Sequence, residues 1–358
     1  MTAFLYPRGC RPIQADNLFV VASAYHLILA HLLARDTAVA PGTSALLMKH
    51  QPVTSFPELY DAVQADPGVP FQAVYFLDRP GRKYKRRWRA LIDKTRAAGM
   101  RRVAKGVSPR RLFIFNEDDL NQYAARILRR RQAEIIAVED GAIAYIDQRM
   151  TSSPSERFKS RLLFGPRTKA VEVEGASSNI DRFYARFPAR VRPELRRHVV
   201  GLPASDLDFF NTMAWPADYV QRVGATLEDL SADVLFMLAH RNNFKGHDGY
   251  ARVIRQAVAE HAAAGDEVAV SYHPREREAD WLDLTALGAK LIPHAVPSEL
   301  VYLAGRGSIR RVYGDIGTAL ITAKWILPDT PAVSLMRSLD IHDDKLAGLF
   351  ESLDIERR

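Results

Sequence analysis

The chain has 358 residues, 47% hydrophobic and 26% charged, a balance that excludes a disordered protein and leaves room for two domains. Its one cysteine, Cys10, excludes an intramolecular disulfide framework and a cysteine-rich zinc site, and it favours a reducing cytoplasm. The formal net charge is +8, and no apolar run approaches the roughly 20 residues of a membrane span.

The first half of the chain alternates predicted strands with predicted helices. Strands are expected at 17–23, 43–48, 71–77, 112–116 and 134–138, and helices at 24–34, 57–64, 83–98 and 117–131. This alternation predicts parallel βαβ units. The pattern loosens over 151–197, where a helix is expected at the end, and 202–229 is interpreted as the connection between domains.

A second alternating set follows, with strands expected at 234–239, 267–271, 290–293 and 309–312 and helices at 249–264, 297–304 and 318–325. The sequence therefore predicts an α/β protein of two doubly wound, Rossmann-like domains that face each other across a cleft. The predicted bounds are 1–215, 216–330 and a helical tail at 331–358. In such sheets ligands bind outside the carboxyl ends of the strands, so residues just after strands are candidates for the site.

A basic segment lies in the first half. Between Gly81 and Arg111 there are thirteen Lys or Arg residues and one acid, Asp93. Such a run predicts a polyanionic partner, namely anionic lipid headgroups, an acidic glycan or nucleic acid; the alternative is a solvated helix face. Only Tyr84 and Trp88 could stack on bases, so we expect no nucleic acid.

The first candidate site is Glu139-Asp140-Gly141, at the end of a very apolar predicted strand. Two adjacent acids there are costly unless a cleft solvates them or a partner neutralises them. A carboxylate at this place could remove a proton from a sugar hydroxyl as a general base. The alternative is a structural acid that caps the next helix or pairs with an arginine.

Three further candidates follow strands of the second half. His273, fixed by Pro274, could donate to a phosphate oxygen or protonate a leaving phosphate, or it could be an idle loop histidine. Glu299, which opens a helix, could accept from a ribose diol or complement the helix dipole. Gly317 and Thr318, in a glycine-rich turn before a helix, form a weak signal for a phosphate cradle.

Competing motifs are missing from the sequence. There is no Walker A sequence, no Gly-x-Gly-x-x-Gly after the first strand, no Gly-x-Ser-x-Gly and no His-Glu-x-x-His. Asp206-Leu-Asp208 has the spacing of a metal-binding acid pair, but it is interpreted as a turn.

With these motifs in order, the chain resembles the bacterial sialyltransferases of GT-B fold, both the lipooligosaccharide type and the capsule polysialyltransferases. Those enzymes have an acidic-acidic-Gly motif, a His-Pro motif, a Ser/Thr pair and a short acidic ribose motif. The matching positions here are Glu139-Asp140-Gly141, His273-Pro274, Gly317-Thr318 and Pro297-Ser-Glu299, with Ser23-Ala-Tyr-His-Leu at the first strand-to-helix junction. The resemblance spans residues 17 to 326. It departs at Ala24, in place of a proline, and at Ala319, in place of the second hydroxyl.

The resemblance implies an inverting transfer of sialic acid, or a related nonulosonic acid, from a CMP-sugar without metal or cofactor. Glu139 would deprotonate the acceptor hydroxyl, with Asp140 as the alternative base. His273, in its motif with Pro274, would hold and protonate the departing CMP phosphate. Thr318 and the amides near Gly317 would bind that phosphate. In this scheme Glu299 would bind the ribose.

The implied partners are a nucleotide-sugar donor and an anionic glycan or glycolipid of capsule or lipopolysaccharide biosynthesis. We expect a cytoplasmic protein that associates peripherally with the inner face of the membrane through residues 82–111. Two alternatives stay open. One is a GT-B transferase that uses CMP-Kdo or a UDP-sugar, and the other is a non-catalytic basic protein that binds membrane or nucleic acid.

Overall fold

The structure is a computed structural model that describes residues 12–50, 56–78, 89–147, 149–166, 168–203, 207–244, 247, 249–276 and 278–358. Within these ranges the chain forms two compact units. The first contains 12–50 and 59–203, and the second contains 56–58 and 207–358. Each unit is built on one parallel sheet, which confirms the predicted α/β class. No helix in the described ranges is long and apolar enough to cross a membrane.

The first sheet has seven described strands in the order β3-β2-β1-β4-β5-β6-β7, and every neighbouring pair is parallel. Its central strands are continuous apolar runs because a parallel sheet covered by helices is buried on both faces. The strands are β1 Asn17–Val21, β2 Ser44–Lys49, β3 Ala73–Leu77, β4 Arg111–Ile114, β5 Glu134–Val138, β6 Arg182–Ala185 and β7 Val199–Gly201.

Five helices belong to this part of the chain: α1 Ala24–Arg35, α2 Phe56–Ala65, α3 Arg89–Val107, α4 Asp119–Arg129 and α5 Pro154–Phe164. Side-chain caps fix three of their starts. Ser23 caps α1, Asp118 caps α4, and Ser153 forms a capping box with Glu156 at α5. Strand β6 lies where the sequence predicts only a loose pattern, and β7 lies between that stretch and the predicted connection at 202–229. The helix expected near 197 is replaced by two single-turn 3-10 segments.

The second sheet has six described parallel strands in the order β10-β9-β8-β11-β12-β13. These are β8 Val234–Met237, β9 Val268–Ser271, β10 Lys290–Ile292, β11 Arg311–Gly314, β12 Ala332–Ser334 and β13 Ile355–Arg357. The helices are α6 Trp215–Arg222, α7 Tyr250–Ala263, α8 Ser298–Ala304, α9 Ala319–Ile326 and α10 Asp344–Ser352. Phe236 and Tyr313 stack at 4.8 Å between ring centroids in the core.

The last part of the chain differs from the predicted helical tail. Residues 331–358 contain one helix, α10, but also β12 and β13, which extend the second sheet at one edge. The two strands have only three residues each, and such short strands carry no readable alternation. The predicted boundary at 215 falls inside the second unit, since the 3-10 segment Leu207–Thr212 already belongs to it.

Candidate active site

Three neighbouring strands of the first sheet end at one cluster of polar side chains. Strand β1 leads into the first turn of α1, which carries Tyr25 and His26. Strand β4 leads to Asn116, and β5 leads to Glu139 and Asp140. Because β1, β4 and β5 are adjacent and parallel, their carboxyl ends meet at the same edge of the sheet.

Glu139 is fully buried, and its carboxylate receives four donors. The hydroxyls of Tyr25 and Tyr145 donate to its two oxygens, and the Arg186 side chain donates through Nε. The backbone N–H of Arg186 also donates to Oε2, at 2.9 Å. Both side chains of the Glu139–Arg186 ion pair are inaccessible to solvent. The Glu139 carboxylate therefore links the end of β5 to the end of β6.

Gly141 makes the turn that brings Tyr145 back to Glu139. Its φ of 66° lies in the left-handed region that glycine adopts without strain. A 3-10 segment, Gly141–Ala144, follows directly and ends at Tyr145. A glycine after two acids favours either a sharp backbone turn or the close approach of a ligand, and the structure shows the turn.

Asp140 points the other way and is accessible, with 39% of its side chain exposed. Its Oδ1 lies 2.8 Å from Nε2 of His26. The other ring nitrogen of His26, Nδ1, accepts from the backbone N–H of Ala22 at 3.2 Å. Since a backbone N–H can only donate, we assign the proton to Nε2, from which His26 donates to Asp140. The His26 ring is held by stacking on Phe115 at 4.9 Å.

Several groups set the ionisation of Asp140. Burial raises the pKa of its carboxyl, but the interactions with His26, Asn116 and Lys49 outweigh burial, and the net pKa lies below its usual value. Asp140 is therefore an ionised, hydrogen-bonded carboxylate with an open side at neutral pH. Asn116 is itself held by Asn121, whose Nδ2 donates to its side chain at 2.8 Å.

Two further carboxyl groups lie near Asp140. Glu117 is buried and accepts from the backbone N–H of Gly175 at 2.8 Å and from the Ser177 hydroxyl. Burial, together with the charges of Asp140 and Glu117, raises the pKa of Glu174 to about 8. At neutral pH Glu174 is therefore protonated and neutral, whereas Asp140 is ionised. Sequence reasoning missed Glu174, which no strand end marks.

In the second unit, the buried carboxylate of Asp315 organises the loops at the carboxyl edge of the sheet. It follows β11 and accepts from the backbone N–H of Ala239 at 2.9 Å, the hydroxyl of Tyr250 at 3.0 Å and the backbone N–H of Ile316 at 2.6 Å. Its own carbonyl accepts from the Ser334 hydroxyl at 2.5 Å. The loops after β8, β11 and β12 are thereby fixed together.

His273 lies two residues after β9, at this edge. Its Nδ1 accepts from the backbone N–H of Arg275 at 3.1 Å, so its proton is on Nε2 in the neutral form. Burial, and to a lesser extent the charges of Arg275 and His240, lower the pKa of His273 to about 4. In the ligand-free protein the ring is therefore a neutral N–H donor at pH 7.

Sequence reasoning missed His240, although it lies three residues after β8, and the strand-end rule could have found it. The rings of His240 and His273 are 5.4 Å apart and nearly perpendicular. Nδ1 of His240 accepts from the backbone N–H of Asn242 at 3.1 Å, so His240 also offers its Nε2. The buried Glu276 accepts from the backbone N–H of Arg241 at 2.7 Å and joins the loops after β8 and β9. Neighbouring strands thus present two imidazoles.

The glycine-rich turn and Glu299 lie on helices that contact each other. Thr318 is exposed and precedes α9, where its side chain makes no capping hydrogen bond. Helix α8 contacts α9, and its Tyr302 hydroxyl donates to the carbonyl of Ala319 at 3.0 Å. Glu299 is buried in the first turn of α8. Thr318 therefore lies at the N-terminus of α9, and Glu299 lies in the first turn of the contacting helix α8. The strands β9, β8 and β11 are neighbours in the sheet.

The predicted basic segment is only partly described. Residues 82–88, with Arg86 and Arg87, lie outside the described residues, as does Cys10. From Arg89 the segment is the helix α3. Among the described residues, no group of three or more His, Cys, Asp or Glu side chains is placed to hold a metal ion. Asp208, of the predicted turn, forms an ion pair with Arg306 at 2.6 Å.

Residues 17–336 match the family model described as alpha-2,8-polysialyltransferase (POLYST). The chain belongs to this family. A polysialyltransferase-family chain is a glycosyltransferase that transfers sialic acid, and the family implies a nucleotide-sugar donor and a glycan acceptor. The resemblance inferred from the short motifs is thus confirmed over most of the chain. The search of curated proteins found no match.

Solved structures of the same fold confirm the GT-B architecture of this polysialyltransferase-family chain. One is the GT-B domain of a sialyltransferase from Photobacterium damselae, with TM-score 0.50, 12% identity, and coverage of 95% of this chain and 99% of that one. Another is UDP-GlcNAc 2-epimerase from Methanocaldococcus jannaschii, with TM-score 0.52, 10% identity, and coverage of 95% and 92%. A third is UDP-GlcNAc 2-epimerase from Neisseria meningitidis, with TM-score 0.50, 13% identity, and coverage of 94% and 90%. At these identities the likeness concerns the fold alone.

Proposed function

We propose that this polysialyltransferase-family protein transfers sialic acid, or a related nonulosonic acid, from a CMP-linked donor to a surface-glycan acceptor, with inversion and without metal. The observation that carries the proposal is the pair of imidazoles at the ends of β8 and β9. Each accepts a backbone N–H at Nδ1, so in the neutral form each carries its proton on Nε2, from which it can donate to a phosphate. Nε2 of His240 also lies 3.9 Å from Oε1 of Glu276. Strand β11, next to β8, leads to the N-terminus of α9, which favours an anion.

The acceptor is activated by Asp140 in this proposal. Asp140 is accessible, ionised and hydrogen-bonded to His26. The two carboxylate oxygens of Glu139, by contrast, already accept four hydrogen bonds, from Tyr25, Tyr145 and Arg186. A buried carboxylate with four donors cannot easily take a proton from a hydroxyl. Glu139, the base first expected from the resemblance, is instead a positioning residue that fixes the turn carrying Asp140.

The reaction is a single displacement. The acceptor hydroxyl gives its proton to the Asp140 carboxylate, and its oxygen forms a bond to the anomeric carbon of the sugar. The bond from that carbon to the phosphate oxygen breaks, and its electron pair leaves with CMP. One displacement inverts the configuration at the carbon, and general-base assistance of this kind contributes about 10²–10⁴ in rate.

The leaving phosphate is stabilised by His273, His240, Thr318 and the amides near Gly317. His273 is neutral before the donor binds, because its pKa is about 4. A phosphate anion beside the ring favours the imidazolium, which can then protonate the departing oxygen. CMP leaves with one phosphate rather than a diphosphate, so these positioned donors can take the place of a metal ion. Glu299, at the start of α8, is proposed to bind the ribose.

A nucleotide screen by thermal shift tests the donor. CMP, with EDTA present, should protect the protein more than UDP or GDP does. A ligand at 100 times its dissociation constant adds about 2.7 kcal/mol of stability. A requirement for magnesium or manganese, or a preference for UDP, would overturn the CMP-sugar proposal and favour a UDP-sugar transferase. Hydrolysis of CMP-sialic acid compared with CMP-Kdo then identifies the sugar.

The basic segment is proposed to meet the anionic partner at the inner face of the cytoplasmic membrane. Its described part, α3, exposes Lys94, Arg101, Arg102 and Lys105 along the helix. A cationic helix of this kind attracts both acidic glycans and anionic lipid headgroups.

A further inference from the structure

Helix α5 carries the most exposed large apolar side chains of the described residues. Phe158 and Leu162 are 70% and 72% exposed, whereas Met150, Val200 and Leu227 do not exceed 39%. Phe158 and Leu162 are four residues apart, so they are neighbours on one face of the helix. An exposed apolar pair on an ordered helix indicates a surface that something else covers.

The opposite face of α5 is fixed to the first unit by polar contacts and burial. The Ser160 hydroxyl donates to Asp119 at 2.5 Å, and Lys159 forms an ion pair with Asp93 of α3 at 3.7 Å. Phe164, at the end of the helix, is buried. These anchors leave Phe158 and Leu162 on the outer face, so their exposure is a property of the docked helix and not of a frayed end.

Two arginines accompany the apolar pair. Arg157 and Arg161 of α5 are exposed and have the same four-residue spacing as Phe158 and Leu162, whereas Lys159 is paired with Asp93. Helix α3 contacts α5, and a cavity of about 550 Å³ with a basic lining lies along it. Its lining includes Leu163 of α5 and four cations of α3, namely Lys94, Arg101, Arg102 and Lys105. The cavity meets α5 at Leu163, next to Leu162, and the apolar pair itself does not line it. We call the outer face of α5 together with these four cations the α3–α5 surface.

The chemistry of this surface selects one class of partner. An acidic glycan would pair with the cations but offers little to a leucine that is 72% exposed. A second copy related by two-fold symmetry would bring like charges together. An anionic bilayer satisfies both features, because its headgroups attract Lys and Arg while its acyl boundary receives Phe and Leu.

We propose that the α3–α5 surface docks on an anionic lipid bilayer, with Phe158 and Leu162 inserted at the acyl boundary. The helix then lies in the plane of the interface, which is the usual position of a short amphipathic helix with cations beside its apolar face. This inference adds a membrane-docking element to the proposed function, and it depends neither on the identity of the donor nor on the catalytic base.

The test compares vesicle binding of the full chain and of Phe158→Ser/Leu162→Ser. The vesicles are phosphatidylcholine with about one-third phosphatidylglycerol. The double variant should bind up to about a hundredfold more weakly, since each buried Phe or Leu adds roughly tenfold to partitioning, and a loss of less than about tenfold would not fit insertion of both. The matched control is Val200→Ser/Leu227→Ser, which removes two exposed apolar side chains elsewhere and should bind like the wild type. Melting temperature and CMP-sialic acid hydrolysis should not change in either variant.

The charges are tested separately with Arg157→Ser/Arg161→Ser, which should weaken vesicle binding in low salt and reduce its salt dependence. Each protein is also tested for binding to a sialic acid oligomer in solution. Vesicle binding by Phe158→Ser/Leu162→Ser equal to that of the wild type would overturn the proposal. Loss of binding to the sialic acid oligomer with vesicle binding unchanged would also overturn it and would identify an acceptor surface. A change in the oligomeric state of the variant would overturn it as well and would identify a self-association surface.

A fluorescent label distinguishes insertion from simple adsorption. An environment-sensitive dye on Phe158→Cys, in a Cys10→Ser background, should shift its emission to the blue when vesicles are added. The same dye on Val200→Cys should not shift. An unchanged emission at position 158 with vesicles bound would refute insertion of α5. Failure of CMP to raise the melting temperature of these proteins would instead count against the proposed function. Failure of membrane docking and failure of the proposed function therefore give different results.

Discussion

The two acids that follow β5 should fail in different ways when their charge is removed. Glu139→Gln replaces a carboxylate that receives Tyr25, Tyr145 and two donors of Arg186. A glutamine offers one carbonyl oxygen, and its amide group would point its own N–H toward remaining donors. It also removes the negative charge that Glu139 supplies to the buried Arg186 side chain.

The magnitude follows from burial. Both side chains of the Glu139–Arg186 pair are 0% exposed, and breaking one partner of such a pair costs about 3–5 kcal/mol. For a domain of this size, 1 kcal/mol corresponds to roughly 2–4 °C, so the melting temperature of Glu139→Gln should fall by roughly 6–20 °C. Replacing Glu139 and Arg186 together by Gln and Met should recover part of that loss.

Asp140→Asn should show the opposite behaviour. The asparagine oxygen can still accept from Nε2–H of His26, and the site is partly solvated, so stability should change by less than about 1 kcal/mol. The rate of sialic acid transfer should fall by about 10²–10⁴ because the asparagine cannot take the acceptor proton. CMP binding should be unchanged in both folded variants.

The assay measures transfer from CMP-sialic acid to a sialylated acceptor below the melting temperature of each variant, beside thermal unfolding and CMP binding. An active Asp140→Asn protein would remove Asp140 as the base. A Glu139→Gln protein that melts like the wild type but transfers nothing would restore a direct catalytic role to Glu139 and refute the anchoring argument.

Two further predictions concern titratable groups. His273→Ala should weaken CMP binding by about 1.5–3 kcal/mol and also lower turnover. Wild-type CMP binding should tighten as the pH falls from 8 to 5, because the phosphate raises the pKa of His273, which is about 4 in the free protein. The control is His342→Ala, at an exposed site, and CMP affinity that depends neither on His273 nor on pH would contradict the assignment. Glu174 has its folded pKa raised to about 8, so its stabilising contribution is full below its ordinary pKa near 4.5 and is lost as the pH rises through 8. In Glu174→Gln the melting temperature should therefore fall less between pH 6 and 9 than in the wild type. The control is Glu172→Gln, at an exposed site, which should show the wild-type fall. Identical pH profiles for the two variants would refute the raised pKa of Glu174.

Much of the fold could be predicted because its central strands are long apolar runs. Strand β5 was predicted at its observed bounds, α1 is a predominantly apolar run, and α4 has an acidic start and a clear apolar periodicity. Strands β6 and β13 could not be predicted in the same way. Each has three or four residues, and each is stabilised by pairing with a neighbouring strand that is distant in sequence.

The site was predictable to the extent that strand ends mark it. Residues Asp140 and His273 follow strands directly, and the rule that ligands bind at carboxyl ends selects both. The rule does not tell which of two adjacent acids is buried, since that depends on Arg186, 47 residues away from Glu139. It also does not show that Ala22 and Arg275 fix the imidazole tautomers, because backbone contacts of this kind arise only when the loops are folded.

The Asp315 carboxylate has a consequence for the cost of binding. It accepts from the backbone N–H of Ala239 after β8, from the Tyr250 hydroxyl of α7 and from the backbone N–H of Ile316 in its own turn, so these three positions are joined without a ligand. Ordering of loops is a large entropic cost of association. If the proposed donor binds at this edge of the sheet, this part of its site does not have to be ordered on binding, and more of the contact energy remains as affinity.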